Sequence, residues 1–310
     1  MVKTAKQQSN VITQGSPSIW MLVAALQSAL WFFALPPLLK PYWFSFFDHF
    51  SSSTAEATLF LLIIPFYLLY IITVALPSYL LQWNCFEQYK ISKNVWPWLD
   101  NRRSVRDAFW KLIRKTIKLE FFLMLVIFPA MLYVKSILMP HSEISFAAED
   151  WPTYKQSASD LISLGLVHEF FFYWTHRIMH MFPQLYKYHK IHHEYKQNNV
   201  LASQYFHPMD FAISIGGPAI ATTVIVHPHS VTQFQFGLWL LYANFDDHLG
   251  YAFPWSPVRW FPMAASTNCH EFHHSVNMGC YSSKLNVWDR LFGTDKAYQK
   301  WRKSRYFVTD

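Results

Sequence analysis

The sequence predicts an all-α membrane protein with about four long spans, a short helical hairpin and a helical, histidine-rich region on the cytosolic side. Of its 310 residues, 52% are hydrophobic and only 15% are charged, whereas soluble domains carry about 25% charged residues. Several uncharged runs are long enough to cross a bilayer as helices. A soluble, unusually aromatic helical protein would not need uncharged runs of this length.

Four segments are predicted to span the membrane. The first is a retained span rather than a cleaved signal peptide, because its apolar run is long and lacks a small-residue cleavage site. We expect kinks at Pro65 and Pro77 in the second span and a bend near Pro129 in the third. The four spans are residues 20–39, 57–82, 121–134 and 161–174.

Two shorter apolar segments, residues 211–226 and 231–245, flank His227-Pro228-His229-Ser230. They predict a hairpin that either spans the bilayer or enters one leaflet. The chain then divides into four regions. They are an N-terminal tail (1–17), transmembrane helices with a basic cytosolic loop at 83–118 (18–175), a catalytic region that includes the hairpin at 211–245 (155–296), and a C-terminal tail (297–310).

Loop charges predict the sidedness, since basic loops stay in the cytosol. Residues 83–118 are strongly basic, and the loop before the fourth span is acidic. Counting crossings then places residues 176–207 and 246–310 in the cytosol, together with every histidine cluster. The net charge of +7 does not indicate nucleic acid, because the basic residues flank apolar segments.

Three cysteines, Cys85, Cys269 and Cys280, are too few and too scattered to predict a disulfide framework. They also lack the paired spacing of a zinc or iron–sulfur site. The metal-binding potential therefore lies with the 15 histidines.

Three histidine clusters predict a metal centre. His176 and His180 form an HxxxH pair, and two HxxHH triplets begin at His189 and His270. Residues three or four apart share one face of a helix, so each cluster can direct its imidazoles to one point. An HxxHH triplet should arise by composition about 0.04 times per chain, so two triplets are not accidental. The clusters offer eight imidazoles, which favours two metal ions. The eight are His176, His180, His189, His192, His193, His270, His273 and His274.

Two further histidines are predicted ligands, because both lie at the membrane face of the clusters. His207 begins the hairpin, and His248 ends it. Nearby carboxylates are expected to orient imidazoles rather than bind metal. Asp210, Asp247 and Glu271 are the preferred candidates for this role, and the others are Glu169, Glu194, Asp246 and Asp289.

The order HxxxH, HxxHH, His-Pro-x-Asp, a single histidine and HxxHH resembles the fatty acid hydroxylase and sterol desaturase superfamily of membrane di-iron enzymes. The resemblance extends to Trp174-Thr-His176-Arg177, Tyr188-His189-Lys190, His248-Leu-Gly250-Tyr251 and the stretch from Trp288 to Thr294. It covers residues 155–296 well and residues 57–125 loosely. It implies two iron ions, with zinc as a substitute on purification, and O2 as a co-substrate.

The HxxxH spacing is similar to that of the sterol-acting branch. Residues 189–210 resemble methylsterol monooxygenases, and residues 247–255 resemble cholesterol 25-hydroxylases. The resemblance implies hydroxylation of a sterol C–H bond in the endoplasmic reticulum membrane. Asp210 stands where methyl oxidases usually carry Glu and C-5 desaturases carry Asp. The exact reaction therefore stays open.

The sequence lacks a GxGxxG dinucleotide motif. The resemblance therefore implies an external electron donor, such as cytochrome b5 or an NAD(P)H-dependent reductase. Three alternatives remain: a sterol C-5 desaturase or a fatty acid or alkyl-lipid hydroxylase, a metal-ion transporter, and a member without catalytic activity. Transporters hold ions near the bilayer midplane, whereas these clusters lie in polar sequence.

Overall fold

Helices account for the regular secondary structure in the part of the chain that the structure describes. The computed structural model describes residues 17–49, 86–92, 94–138, 149–260 and 263–306. Within these ranges there are two isolated β-bridges, Lys90–Tyr251 and Ala264–Leu285, and no strand. The predicted all-α class is confirmed. The predicted second span, residues 57–82, lies outside the described residues.

The described residues contain the following α-helices, in chain order. They are α1 (Pro17–Ala29), α2 (Leu35–His49), α3 (Arg103–Phe122), α4 (Phe128–Leu138), α5 (Tyr154–Met181), α6 (Pro183–His189), α7 (Pro208–Asp210), α8 (Gly217–Val226), α9 (Ser230–His248), α10 (Thr267–Val276), α11 (Val287–Phe292) and α12 (Lys296–Tyr306). Short 3₁₀ helices occupy Glu87–Tyr89, Pro97–Leu99, His192–Glu194, Val200–Gln204 and Pro257–Trp260.

Three helices of the described part are long and apolar enough to cross a membrane. They are Ser18–Ser45, Arg103–Leu138 and Pro208–Val226. The first two contain the predicted first and third spans, and the last is the first arm of the predicted hairpin. Many of their apolar side chains are exposed, including Leu22, Phe33 and Leu125, as expected for a surface that faces lipid. The three apolar helices are those of a polytopic membrane protein, as the sequence predicts.

The predicted fourth span and the second hairpin arm are helical, but they differ from these three. They lie in α5 and α9, which bury polar side chains on their inner faces, His168 and Glu169 on α5 and Gln235 on α9. Each polar residue lowers the apolar character of the segment. These two helices therefore fall outside the set that is apolar enough to span by itself.

Each of the three apolar helices contains a π-helical turn, at Leu30–Ala34, Leu123–Ile127 and Phe211–Gly216. A proline follows each turn by two residues: Pro36, Pro129 and Pro218. Proline lacks the N–H that a helix needs, and its ring crowds the carbonyl four residues earlier. A wider turn before the proline relieves that crowding without ending the helix. The π-helical turn at Leu123–Ile127 lies just before Pro129, near which the sequence predicts a bend.

Helix α5 is the central element of the described fold. Helices α6, α8 and α9 all pack against it, and α9 in turn packs against α10. A short turn at His227, in the left-handed conformation with φ of 50°, joins α8 to α9. As a result, the ends of α5, α6 and α9 and the whole of α10 meet in one region.

Cys269 and Cys280 form a disulfide bond. The prediction that the cysteines make no disulfide framework is therefore wrong for this pair. Residues 11 positions apart meet because α10 ends in a reversing turn. Asn277, Gly279 and Cys280 all adopt positive φ there, which folds the chain back along the helix.

Candidate metal centre

The HxxxH pair lies on one face of α5. His176 and His180 are one helical turn apart, and their ring centroids are 5.1 Å apart. His176 is buried. The geometry that the spacing predicts is therefore present.

The first HxxHH triplet straddles a helix end. His189 is the last residue of α6, whereas His192 and His193 lie in a 3₁₀ turn. His193 turns back towards His189, with 3.0 Å between the two Nε2 atoms. His192 points the other way, towards His248. The adjacent residues His192 and His193 therefore point towards different histidines.

The second HxxHH triplet lies within α10. His270 and His274 are four residues apart, so they share one face of the helix, and their ring centroids are 4.7 Å apart. His273 faces the HxxxH pair instead, with its ring 4.7 Å from those of His176 and His180. Both triplets therefore divide their imidazoles between two groups.

Two groups of imidazoles result, and within each the possible ligand atoms lie within 4.8 Å of one another. The five-histidine group contains His176, His180, His189, His193 and His273. The four-histidine group contains His192, His248, His270 and His274. Metal–nitrogen bonds of about 2.0–2.1 Å place two ligands at most about 4.2 Å apart. A small adjustment would thus bring each group to ligand distances.

The groups adjoin each other. The rings of His193 and His274, one from each group, lie 4.7 Å apart. All eight cluster histidines, together with His248, belong to one group or the other. Nine of the ten histidines proposed from the sequence are thus brought together.

His207 does not belong to either group. Its Nδ1 accepts a hydrogen bond from the backbone N–H of Met209 at 3.1 Å, which caps α7. Its ring contacts Tyr188. A neutral imidazole that accepts through Nδ1 carries its proton on Nε2, so this arrangement leaves no nitrogen lone pair for a metal.

In contrast to His207, five imidazoles of the two groups donate a hydrogen bond from Nδ1. His176, His192, His248 and His273 each donate from Nδ1 to a backbone carbonyl, and His189 donates to the carboxylate of Asp210. The carbonyls belong to Tyr281, Tyr205, Asn244 and Gly279, in that order. A donor on Nδ1 fixes the tautomer and leaves the Nε2 lone pair free, as metal-binding histidines require.

Burial favours the neutral form of several of the grouped imidazoles. It lowers the pKa of His176 to about 3 and that of His192 to about 4. It also lowers the pKa of His248, His273 and His274 well below the ordinary value. A neutral imidazole can bind a cation, whereas an imidazolium cannot.

Several nitrogens lack a protein partner. Nε2 of His180, Nε2 of His273 and both ring nitrogens of His274 are buried without a hydrogen bond. Buried polar atoms in native proteins nearly always have partners. His180, His273 and His274 each offer one ring nitrogen to a group, so the donor set fits metal ions.

The carboxylates proposed from the sequence differ in position. Asp210 contacts His189 with both oxygens at 3.0 Å. Asp247 instead pairs with the ammonium group of Lys284. Glu271 faces Asn198, and burial raises its pKa to about 7. Among these three, Asp210 is the carboxylate that hydrogen-bonds a histidine.

Two other carboxylates act through the backbone. Asp289 accepts hydrogen bonds from the N–H groups of Tyr281 and Ser282, at 2.9 and 2.8 Å. Glu169 accepts them from Ser283 and Lys284. Together they fix the loop whose Tyr281 carbonyl holds His176. Sequence reasoning missed the four orienting carbonyls, because every residue type carries a backbone carbonyl and no sequence signal exists.

The fold and the two groups define a polytopic membrane protein with a histidine-rich centre suited to metal ions. A model of the fatty acid hydroxylase family matches residues 161–294. Very-long-chain aldehyde decarbonylase GL1-11 of Oryza sativa subsp. indica is 31% identical over 233 residues, which cover 72% of this chain and 80% of that protein. The chain belongs to the fatty acid hydroxylase family, as its motif order predicted.

Other relatives carry sterol-related names. Methylsterol monooxygenase 2-2 of Arabidopsis thaliana is 33% identical over 153 residues, which cover 48% of this chain and 57% of that protein. Methylsterol monooxygenase 1 of Rattus norvegicus is 26% identical over 226 residues, which cover 72% of this chain and 73% of that protein. The match to the Arabidopsis protein thus spans less than two thirds of its length. No solved structure matches.

Proposed function

We propose that this protein is a membrane oxygenase that holds two iron ions and uses O2 to oxidise a C–H bond of a sterol. The observation that carries the proposal is the pair of adjoining groups of five and four imidazoles, to both of which each triplet contributes. Nine imidazoles exceed the coordination of one ion. Two neighbouring ions use them all.

The choice of iron comes from the family, since imidazole also suits zinc and copper. Bound iron would supply the activation of O2 and the removal of hydrogen from an unactivated carbon. The chain supplies ligand geometry, through the carbonyls and Asp210, and it excludes water by burying the rings. Zinc found after purification would therefore not contradict the proposal.

Apolar rings beside both groups support a lipid substrate. Phe172 lies 5.4 Å from the ring of His176, in the five-histidine group. Phe206 stacks on His192, in the four-histidine group, at 4.6 Å. A hydrocarbon that approaches the centre from the bilayer would meet these rings rather than charged groups.

The sterol assignment rests on the printed names of relatives and on the motif resemblance. A second candidate substrate is a very-long-chain aldehyde, because the rice relative with that printed name is 31% identical over 72% of this chain. Whether a sterol is hydroxylated or desaturated is read from the products of the assay described below.

The reaction needs electrons, and we propose that a separate redox protein, such as cytochrome b5 or an NAD(P)H-dependent reductase, delivers them. Exposed basic residues near the centre, among them Lys187, Lys190 and Lys196, would attract an acidic donor. The proposed location is the endoplasmic reticulum membrane, with the histidine groups facing the cytosol, as the loop charges favour.

The test is product formation by the full chain in lipid nanodiscs, loaded with ferrous iron. The reaction contains O2, a microsomal reductase system and parallel panels of sterols and long-chain aldehydes, with products identified by mass spectrometry. We expect oxidised sterol from the wild type and none from His192→Ala or His273→Ala. The matched control is His227→Asn, which changes an exposed histidine outside both groups and should retain activity.

Three results would count against the proposal. Aldehyde conversion without sterol conversion would favour the second candidate. Transport of metal ions across proteoliposomes, without oxidation of either panel, would favour a transporter. Full activity in His192→Ala or His273→Ala would remove that residue from the ligand set.

A further inference from the structure

The disulfide brackets one histidine triplet. Cys269 directly precedes His270, and Cys280 directly follows Gly279. All three histidines of the second triplet therefore lie inside the loop that the S–S bond closes. Nothing in the proposed reaction uses these two sulfur atoms.

The two residues that flank Cys280 orient metal ligands through their carbonyls. The carbonyl of Gly279 accepts the Nδ1 hydrogen bond of His273 at 2.7 Å. The carbonyl of Tyr281, one residue beyond Cys280, accepts that of His176 at 2.9 Å. Both histidines belong to the five-histidine group. The position of Cys280 relative to α10 thus affects this group first.

The four-histidine group depends less on the bond. His192 and His248 are oriented by carbonyls of Tyr205 and Asn244, which lie far from the disulfide in sequence. His270 and His274 are fixed by α10 itself. Opening the disulfide would remove the covalent tie between α10 and residue 280, which lies next to both carbonyls, and would leave the hydrogen bonds of Asp289 and Glu169 as remaining restraints on that loop. Helices α9 and α10 carry the four-histidine group without that tie.

The pair is buried under the last helix. Cys269, Cys280, Phe272 and Tyr298 form one apolar cluster, against which Trp301 of α12 packs. Both cysteines are 3% exposed. A thiol reagent can reach them only when α12 lifts away from this cluster.

We propose that Cys269 and Cys280 form a thiol–disulfide site that controls how tightly the five-histidine group retains its metal. This inference rests on the proposed metal centre. A dithiol reduces the S–S bond, which becomes two S–H groups, and the two electrons and two protons come from the dithiol, whose own sulfurs join. Because disulfides in the cytosol are transient or redox-sensing, a pair on the predicted cytosolic side would be a reversible switch.

The test compares metal retention in the oxidised and the reduced protein. The full chain in nanodiscs is loaded anaerobically with Co²⁺, and its transfer to an excess of chelator is followed by absorbance. Loss of an orienting partner typically costs about 10–100-fold in metal affinity, and reduction loosens the segment whose carbonyls orient His176 and His273. We expect tris(2-carboxyethyl)phosphine to speed the release of about half of the cobalt by roughly tenfold and oxidised glutathione to restore slow release.

Two variants locate the effect. Cys269→Ala/Cys280→Ala should release half of its cobalt fast with or without the phosphine, whereas Cys85→Ser should behave as the wild type. Where the double variant does not fold, hydrogen exchange of residues 277–286 in the wild type replaces it, and exchange should rise on reduction. Equal cobalt release and equal exchange in the oxidised and the reduced protein would overturn the inference. A protein that oxidises no sterol but shows the redox-dependent release would refute the proposed function alone.

Discussion

Asp210→Asn should weaken metal binding by the five-histidine group without removing any ligand. Asp210 is fully buried, and both of its oxygens accept from Nδ1–H of His189 at 3.0 Å. Asparagine keeps the volume but loses the charge, and its NH2 group faces the ring in one of its two orientations. Replacing such an orienting partner typically costs 10–100-fold in metal affinity, which corresponds to about 1.4–2.7 kcal/mol.

The assay is competition of the full chain with a chelator for Co²⁺, read by absorbance. Glu271→Gln is the matched control, because Glu271 is also a buried carboxylate beside the centre but faces Asn198 rather than a histidine. We expect one weakened site in Asp210→Asn and two unchanged sites in Glu271→Gln. Unchanged affinity in Asp210→Asn, or an equal loss in both variants, would refute the idea that Asp210 acts through His189.

Three further predictions follow from the described contacts. His248→Ala should lose the metal of the four-histidine group, whereas His207→Ala should keep both metals, because Nδ1 of His207 accepts a backbone hydrogen bond; metal analysis checks this, and equal losses would contradict it. Lys284→Met should destabilise the metal-free protein by about 3–5 kcal/mol, because it leaves the Asp247 carboxylate buried without its partner; unfolding in denaturant measures it, and Lys284→Met/Asp247→Asn should recover part of the loss. Burial holds the pKa of His176 at about 3 and that of His192 at about 4, whereas the unfolded chain takes up these protons near pH 6.5. The metal-free protein should therefore be most stable above pH 6.5 and lose stability as the pH falls towards 4. A melting temperature that does not fall from pH 7.5 to 5 would contradict this prediction.

The helical class and the first and third spans could be predicted because an uncharged run of this length is typical of a membrane-spanning helix. Polar residues on the inner faces of α5 and α9 explain why the fourth span and the second hairpin arm were harder to assign. His168 and Glu169 interrupt an apolar run in sequence, yet both are buried against protein. A hydropathy pattern records that a residue is polar but not which surface it faces.

More of the metal centre than of the fold could be predicted, because the spacing of histidines along a helix indicates which of them share a face. The number of imidazoles favoured two ions, but the expectation that each cluster directs its imidazoles to one point is wrong for both triplets, because the first and last histidines of each belong to one group and the middle histidine to the other. His248 was found from its position at the end of the hairpin. His207 has the same kind of position, but the backbone N–H of Met209 occupies its Nδ1.

The remaining features depend on chain reversal. The carbonyls of Gly279 and Tyr281 meet their histidines only because Asn277 and Gly279 adopt left-handed conformations. The same reversal brings Cys280 to Cys269. Glycine and asparagine after a helix suggest such a turn, but they do not tell which side chains the turn will face.

Metal stoichiometry with the metal–metal distance is the most direct test of the central claim, that nine imidazoles hold two neighbouring ions. The full chain in nanodiscs would be loaded anaerobically with ferrous iron, freed of excess metal and measured by elemental analysis and X-ray absorption. We expect two iron ions per chain, nitrogen-rich coordination and a metal neighbour within the spacing of the two adjoining groups. One ion per folded chain, or two ions without a metal neighbour, would contradict the account.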